Sequence, residues 1–154
     1  MKILVLSDSH GEIRYMEQAV FAETPDHIVH LGDKYRDAQA LQKKFCRIPM
    51  ICVPGNCDFA GTEPNVVVTE LGGIRFLITH GHVHAVKYGL LRLGLAAAES
   101  GASVALYGHT HIPAHDMFEN VHLFNPGAAG GGAPSYGVVE IFPNGGFVCR
   151  IEKL

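Results

Sequence analysis

An unbroken apolar run, Ile3-Leu4-Val5-Leu6, lies near the start of the chain and gives way to the polar triplet Asp8-Ser9-His10. Lys2 to Leu6 reads as a buried strand; Ile13, Met16 and Val20 then recur at i, i+3 and i+7, one face of a helix. His27 to Leu31 predicts the next strand. Tyr35 to Phe45 predicts a helix carrying Ala38, Leu41 and Phe45 on one face, and Ile48 to Val53 predicts a third strand. A βαβαβ series of this kind implies a parallel sheet, with its functional crevice beyond the carboxyl ends of the strands.

After Asn56 the pattern changes to strand pairs. Asn65 to Leu71 and Ile74 to Thr79 flank a permissive Gly72-Gly73 turn, and Tyr136 to Phe142 and Phe147 to Ile151 flank Pro143-Asn144-Gly145-Gly146. Between these hairpins, Val86 to Ser100 is dense in Leu and Ala and is followed by Gly101, so it predicts one helix with a glycine cap. Val104 to Tyr107 predicts a strand running into Gly108-His109. Two sheets packed face to face with helices outside account for this order better than one doubly wound sheet does. With no repeat, linker or compositional boundary, residues 1–154 are expected to form one domain. The glycines between Gly127 and Ser135 mark a loop that is either mobile or closely approached by other backbone.

Composition narrows the setting. At 154 residues and 47% hydrophobic, the chain can bury an ordinary core without disulfides. A net charge of −3 and pI near 6.3 give no support to a polyanion-binding or membrane-attracting face. Cys46, Cys52, Cys57 and Cys149 show no paired spacing, and Met1 leads straight into a strand without a basic-then-apolar leader. Reduced cysteines and a cytoplasmic location are the default expectation. No apolar stretch approaches the roughly 18 to 20 residues of a membrane span.

The chemistry sits at the strand ends. Asp8-Ser9-His10 has four later counterparts: Gly32-Asp33, Gly55-Asn56, His80-Gly81-His82 and Gly108-His109-Thr110-His111. Carboxylate, amide oxygen and imidazole are together the donors of borderline or hard divalent ions, whereas a structural zinc site favours thiolates. His27, His30, His84, His115 and His122 fall in none of these segments and read as core or surface residues. Asp37 and Glu63 read as solvated charges.

These motifs occur in order, with Asn125-Pro126-Gly127 after them, and that order closely resembles the calcineurin-like metallophosphoesterases. Within them it is most similar to the small YfcE-type phosphodiesterases of bacteria and archaea. The resemblance spans nearly the whole chain and implies a four-layer αββα sandwich, an α/β fold of two packed mixed sheets flanked by helices. It also implies a two-metal site, with Asp8, His10, Asp33 and His111 on one ion and Asp33, Asn56, His80 and His109 on the other, bridged by Asp33. Two divalent ions bring four positive charges. Two aspartates and a bridging hydroxide remove three, which leaves a centre attractive to phosphate. Imidazole ligands favour transition ions over magnesium or calcium, with Mn2+ the expected ion and Ni2+, Co2+, Fe2+ or Zn2+ as alternatives.

The implied activity is hydrolysis of a small phosphodiester. Asn56, Cys57, Asp58 and His82 are the candidates for contact with the reacting groups. Many larger relatives place a histidine, paired with the following acid, where this chain has Cys57 before Asp58. A thiol of pKa about 8.5 is a weak proton donor. His82 is equally open to a phosphate contact and a structural role. The alternatives are a nucleotide phosphohydrolase or nuclease, disfavoured by the missing basic patch, and a protein-binding scaffold like the retromer subunit, disfavoured because all seven ligand types are kept. Assembly into a dimer or tetramer stays open. Segments 59–64, 83–89 and 127–135 are expected to wall the pocket.

Overall fold

The computed structural model describes residues 1–58 and 63–154. One sheet joins β1 (Lys2–Leu6), β2 (His27–His30) and β3 (Met50–Cys52) in parallel, and extends from β1 through antiparallel β9 (Ser135–Ile141) to β10 (Phe147–Lys153). The second sheet has the order β4 (Val66–Leu71), β5 (Ile74–Thr79), β6 (Val104–Leu106), β8 (Val121–Asn125), β7 (Ala114–Phe118). Its three central strands are parallel and its two edges antiparallel.

Alternation along β1 shows why its apolar run is unbroken. Ile3 and Val5 face the second sheet in a core shared with Val29, Leu31, Phe76, Ile78, Val104, Leu106 and Phe124. Leu4 and Leu6 point the other way and pack with Ile28 under Met16, Val20 and Leu41 of helices α1 (Ile13–Glu23) and α2 (Tyr35–Lys44). A strand covered on both faces has no need of polar alternation. Helix α3 (Leu91–Glu99) completes the fourth layer, setting Leu93 and Ala97 against Leu77, Ala105 and Leu123. The fold is therefore two mixed five-stranded sheets flanked by three helices. Among the described residues, no helix is long and apolar enough to cross a membrane.

The structure departs from the sequence reading in two places. The helix expected over 86–100 is divided into a single 3-10 turn at Val86–Tyr88 and α3, with Gly89 at φ 142° between them. An extended glycine ends the first turn, because helical φ cannot pass through it. The expected cap at Gly101 is present: φ is 70°, its N–H bonds Ala98 O at 3.0 Å, and the Ala102 N–H bonds Ala97 O at 2.9 Å, a Schellman closure. The β7–β8 hairpin is the second departure, since nothing in the apolar pattern pointed to it. Strand β7 is a sheet edge whose central residues His115, Asp116 and Met117 are exposed.

Candidate metal centre

Asp8, Asp33, Asn56, His80 and His109 each lie within four residues of the end of a strand, from both sheets, so the seam between the sheets is where they meet. The turns that carry them are conformationally costly. Among the described residues, nine other than glycine have positive φ, and five of these are Asp8 (53°), His10 (48°), Asp33 (57°), His109 (69°) and His111 (61°). Left-handed backbone at a residue with a Cβ costs about 1 to 3 kcal/mol and persists only where its surroundings enforce it. Here they do. The Asp8 N–H bonds Gly32 O at 3.0 Å, the Gly108 N–H bonds His80 O at 3.0 Å, and the turns crowd together closely enough that a Cβ on Gly55 would collide with the Asp33 carboxylate.

The side chains form two groups that share one residue. In the first, donor atoms of Asp8, His10, Asp33 and His111 all lie within 4.8 Å of one another. His111 Nε2 is 3.1 Å from Asp8 Oδ1 and 3.3 Å from His10 Nε2. In the second, His80 Nε2 is 3.2 Å from Asn56 Oδ1 and 3.5 Å from Asp33 Oδ1, and the His109 ring centre is 5.0 Å from that of His80. Atoms bonded to one ion at about 2.0 to 2.2 Å and at right angles sit about 3 Å apart, so the spacings of the first group suit a shared cation; in the second, Asn56, His80 and Asp33 approach this closely, while His109 is placed only by its ring beside His80. Asp8 Oδ1 supplies a separate sign. It is buried, and apart from the His111 ring nitrogen at 3.1 Å, which does not form a hydrogen bond to it, it has no partner among the described residues, although Asp8 Oδ2 accepts from Ser7 Oγ at 2.5 Å and from the His109 N–H at 3.1 Å. A buried carboxylate oxygen left open this way is costly without a cation.

Protonation states favour the same use. His80 Nδ1 donates to Leu31 O at 2.7 Å, which turns the Nε2 lone pair toward Asp33 and Asn56. Burial, reinforced by the neighbouring His80 ring, lowers His109 to about 4, so its imidazole is neutral at pH 7. Burial works to raise the Asp33 carboxyl, but the Cys57 N–H at 2.9 Å and the nearby His80 outweigh it and hold the group below its ordinary value. Burial, with His80 next, lowers His82; its ring centre is 5.5 Å from that of His80, close to the donor set but bonded to none of it.

Two neighbours differ from expectation. Asp58, placed among the reacting groups by the sequence, instead spends its carboxylate on backbone: Oδ1 accepts from the N–H groups of Lys34 (2.9 Å) and Tyr35 (2.8 Å), and Oδ2 from those of Asp33 (3.0 Å) and Gly55 (2.9 Å). With four donors it fixes the Asp33 turn and the start of α2, and has no bond to Cys57. Cys57 itself is exposed, accepts a contact from Asn56 Nδ2 at 3.3 Å, and is kept protonated chiefly by the Asp33 carboxylate. Asp37, expected in solvent, is buried on α2 and accepts from Ser9 Oγ (2.8 Å) and the Gly11 N–H (2.7 Å), pinning the turn that holds Asp8 and His10. Glu63 accepts from Tyr35 OH at 2.9 Å.

Further supports come from the Asn125-Pro126-Gly127 motif and the glycine-rich loop after it. Asn125 donates to Gly108 O (3.0 Å) and Thr110 Oγ1 (3.1 Å) and accepts from the Gly127 N–H (2.9 Å), so it braces the loop of His109 and His111. The loop at 127–135 is closely approached: Ala129 and Gly130 donate to Ser7 O and Asp8 O, and a Cβ at Gly130 would strike the Ser9 carbonyl. In the 59–64 segment, residues 59–62 lie outside the described residues. His84, Ala85, Tyr88 and Gly89 line a cleft that includes none of the seven donors. His115 and His122 pair at 2.8 Å on the β7–β8 hairpin, and His30 is fully buried.

Residues 1–142 match the family model of the calcineurin-like phosphoesterase superfamily domain. The chain is 35% identical over 133 residues to the probable metallophosphoesterase YsnB of Bacillus subtilis, covering 83% of this chain and 75% of that one. It is 29% identical over 169 aligned positions to the phosphodiesterase YfcE of Escherichia coli K12, covering 91% and 88%. The structure of Vps29 from Entamoeba histolytica, complexed with Zn2+, superposes with a TM-score of 0.76 at 16% identity over 99% of both chains, a likeness of fold.

Proposed function

The chain belongs to the calcineurin-like phosphoesterase superfamily, a metal-dependent family, and from that membership we propose that it is a phosphodiesterase working with two divalent ions that share Asp33. The observation that carries this reading is the position of Asp33, whose carboxylate belongs to the Asp8–His10–His111 group and also lies 3.5 Å from His80 Nε2. His10 and His111 supply neutral donors to the first position; His80, His109 and the Asn56 amide oxygen supply them to the second. Two such ions, when bound, polarise phosphoryl oxygens and lower the pKa of a water. The protein's own contribution is preorganisation, since the left-handed turns and their buried braces hold the donors together before any ion arrives.

Imidazole donors favour transition ions over magnesium and calcium, and manganese is taken as the working ion among them. Cys57, exposed beside Asn56 and protonated, is the thiol nearest the leaving-group side. It donates a proton weakly, so diesters with stable anionic leaving groups are the favoured substrates. The fold alone would equally suit a non-catalytic scaffold. The open Asp8 Oδ1 and the retained donors speak for catalysis.

The test is a screen of protein reconstituted with Mn2+ against bis(p-nitrophenyl) phosphate, p-nitrophenyl phosphate and cyclic nucleotides. Diester hydrolysis should be the fastest, should vanish on chelation, and should fall steeply as leaving-group pKa rises. Preference for the monoester would make the protein a phosphatase, and inactivity on all three with metal bound would favour the scaffold.

A further inference from the structure

The turn of Asn56, Cys57 and Asp58 separates two clefts of similar size but unlike charge. These two are about 340 and 330 Å³, within the range of small-molecule sites; a third cleft, of about 430 Å³, belongs to the His84–Arg92 surface and contains none of the turn's residues. The first is lined by Lys34, Tyr35, Arg36, Gln39, Cys57 and Asp58. The second is lined by Asn56, Glu63, Asn65 and His82 and shares Asp58 with the first, with no lysine or arginine in its described wall. Asn56 of the donor set lies in the wall of the second; the first holds none of the seven donors but adjoins them through Cys57, whose N–H bonds Asp33.

The charges in the first cleft are available. Lys34 and Arg36 are exposed, and neither makes an ion pair or a side-chain hydrogen bond among the described residues. The one carboxylate in the wall, Asp58, is already occupied by four backbone N–H groups. Tyr35 OH donates to Glu63 Oε1 at 2.9 Å, so the hydroxyl is already engaged outside the two cations. Lys34 follows Asp33 directly in sequence, and Asp58 holds its backbone N–H, so an ammonium and a guanidinium share the cleft wall with Cys57 and Asp58 and have no ion-pair partner among the described residues.

Resting on the phosphodiesterase reading, we propose that this cleft is a subsite for a second anionic group on one arm of the substrate, a phosphate monoester in the first instance, gripped by Lys34 and Arg36. A diester with one phosphorylated arm is then bound in a single direction: the charged arm lies along α2 and the uncharged arm in the cleft of His82 and Asn65. Arg36 can bind two phosphate oxygens at once, and Lys34 adds a point charge.

Calorimetry with Mn2+-loaded protein tests this through binding of thymidine 5′-phosphate and thymidine 3′,5′-bisphosphate, which differ only in the distal phosphate. The bisphosphate should bind at least tenfold more tightly, and the double variant Lys34→Asn, Arg36→Gln should reduce that ratio to within threefold. Asparagine suits position 34, where φ is 80°. In parallel, kcat/KM is compared for the 5′-(p-nitrophenyl) esters of both nucleotides, where the same ratio should appear. A wild-type protein with no preference, or a preference that the double variant keeps, would overturn the subsite. A preference that depends on Lys34 and Arg36 while neither ester is cleaved would uphold the subsite and sink the phosphodiesterase reading instead.

Discussion

The protein buries two sets of carboxylates and treats them in opposite ways. Glu23, at the end of α1, meets Arg150 of β10, Lys2 of β1 at 3.2 Å and the Tyr136 hydroxyl of β9 at 3.1 Å. Burial alone would raise its carboxyl, but these partners outweigh it and hold Glu23 below its ordinary value. Asp8 and Asp33 are buried as deeply, yet no lysine or arginine pairs with either among the described residues, and one Asp8 oxygen has no hydrogen-bond partner. Folding needs the first arrangement, which is complete with the chain's own cations. On the proposed reading the second is complete only with cations from outside, and that difference would separate a structural acid from a ligand.

Removing charge from the open cluster should cost the most. Asp33→Asn should lower diester hydrolysis by about 10³-fold, the scale of losing a group that stabilises charge in the transition state, as measured by kcat/KM under saturating Mn2+. Full activity in that variant would break the contrast at once. Asp37→Asn touches no donor but loosens the Ser9–Gly11 turn, and should cost about 10- to 100-fold in Mn2+ affinity or activity, the usual range for a residue that orients ligands. At the closed cluster the loss should appear in stability instead. Glu23→Gln should lower the unfolding free energy by about 1 to 3 kcal/mol in denaturant titration. Because folding depresses the Glu23 pKa, its contribution is present above the unfolded value near 4.3 and disappears as pH falls through the lower folded value, so the two proteins should converge in acid. The smallest effect is the most discriminating. In metal-free protein, Asp8→Asn should leave stability within about 0.5 kcal/mol of the parent or raise it, because an uncompensated charge is removed. A loss as large as that at Glu23 would mean that Asp8 is structural.

The two clusters also differ in how far the sequence revealed them. Donors of the open cluster each follow an apolar run closely, so Asp8, Asp33 and His80 were legible as strand-end residues, and their order supplied the family. Glu23 and Arg150 lie at opposite ends of the chain, and no local pattern links them. Asp37 shows the same limit. Its position on α2 was readable, but that the face carrying it is covered by the Ser9–Gly11 turn depends on how β1 and β2 pair. Strands sheathed on both faces, such as Lys2–Leu6, announce themselves by composition, whereas the edge strand Ala114–Phe118 is too exposed to do so. Gly89 could have been read as a break in the 86–100 helix, but the surrounding Leu and Ala residues concealed it.

The central claim is that one carboxylate serves two ions, and metal stoichiometry tests it most directly. Protein equilibrated with Mn2+, freed of excess and analysed by inductively coupled plasma mass spectrometry should carry two ions per chain. Replacing His111 with Ala should remove one, as should replacing His80 with Ala, whereas Asp33→Asn should lose most of both. An Asp33→Asn variant that keeps one tightly bound ion and loses only the other, or a parent protein that never binds more than one, would contradict the account.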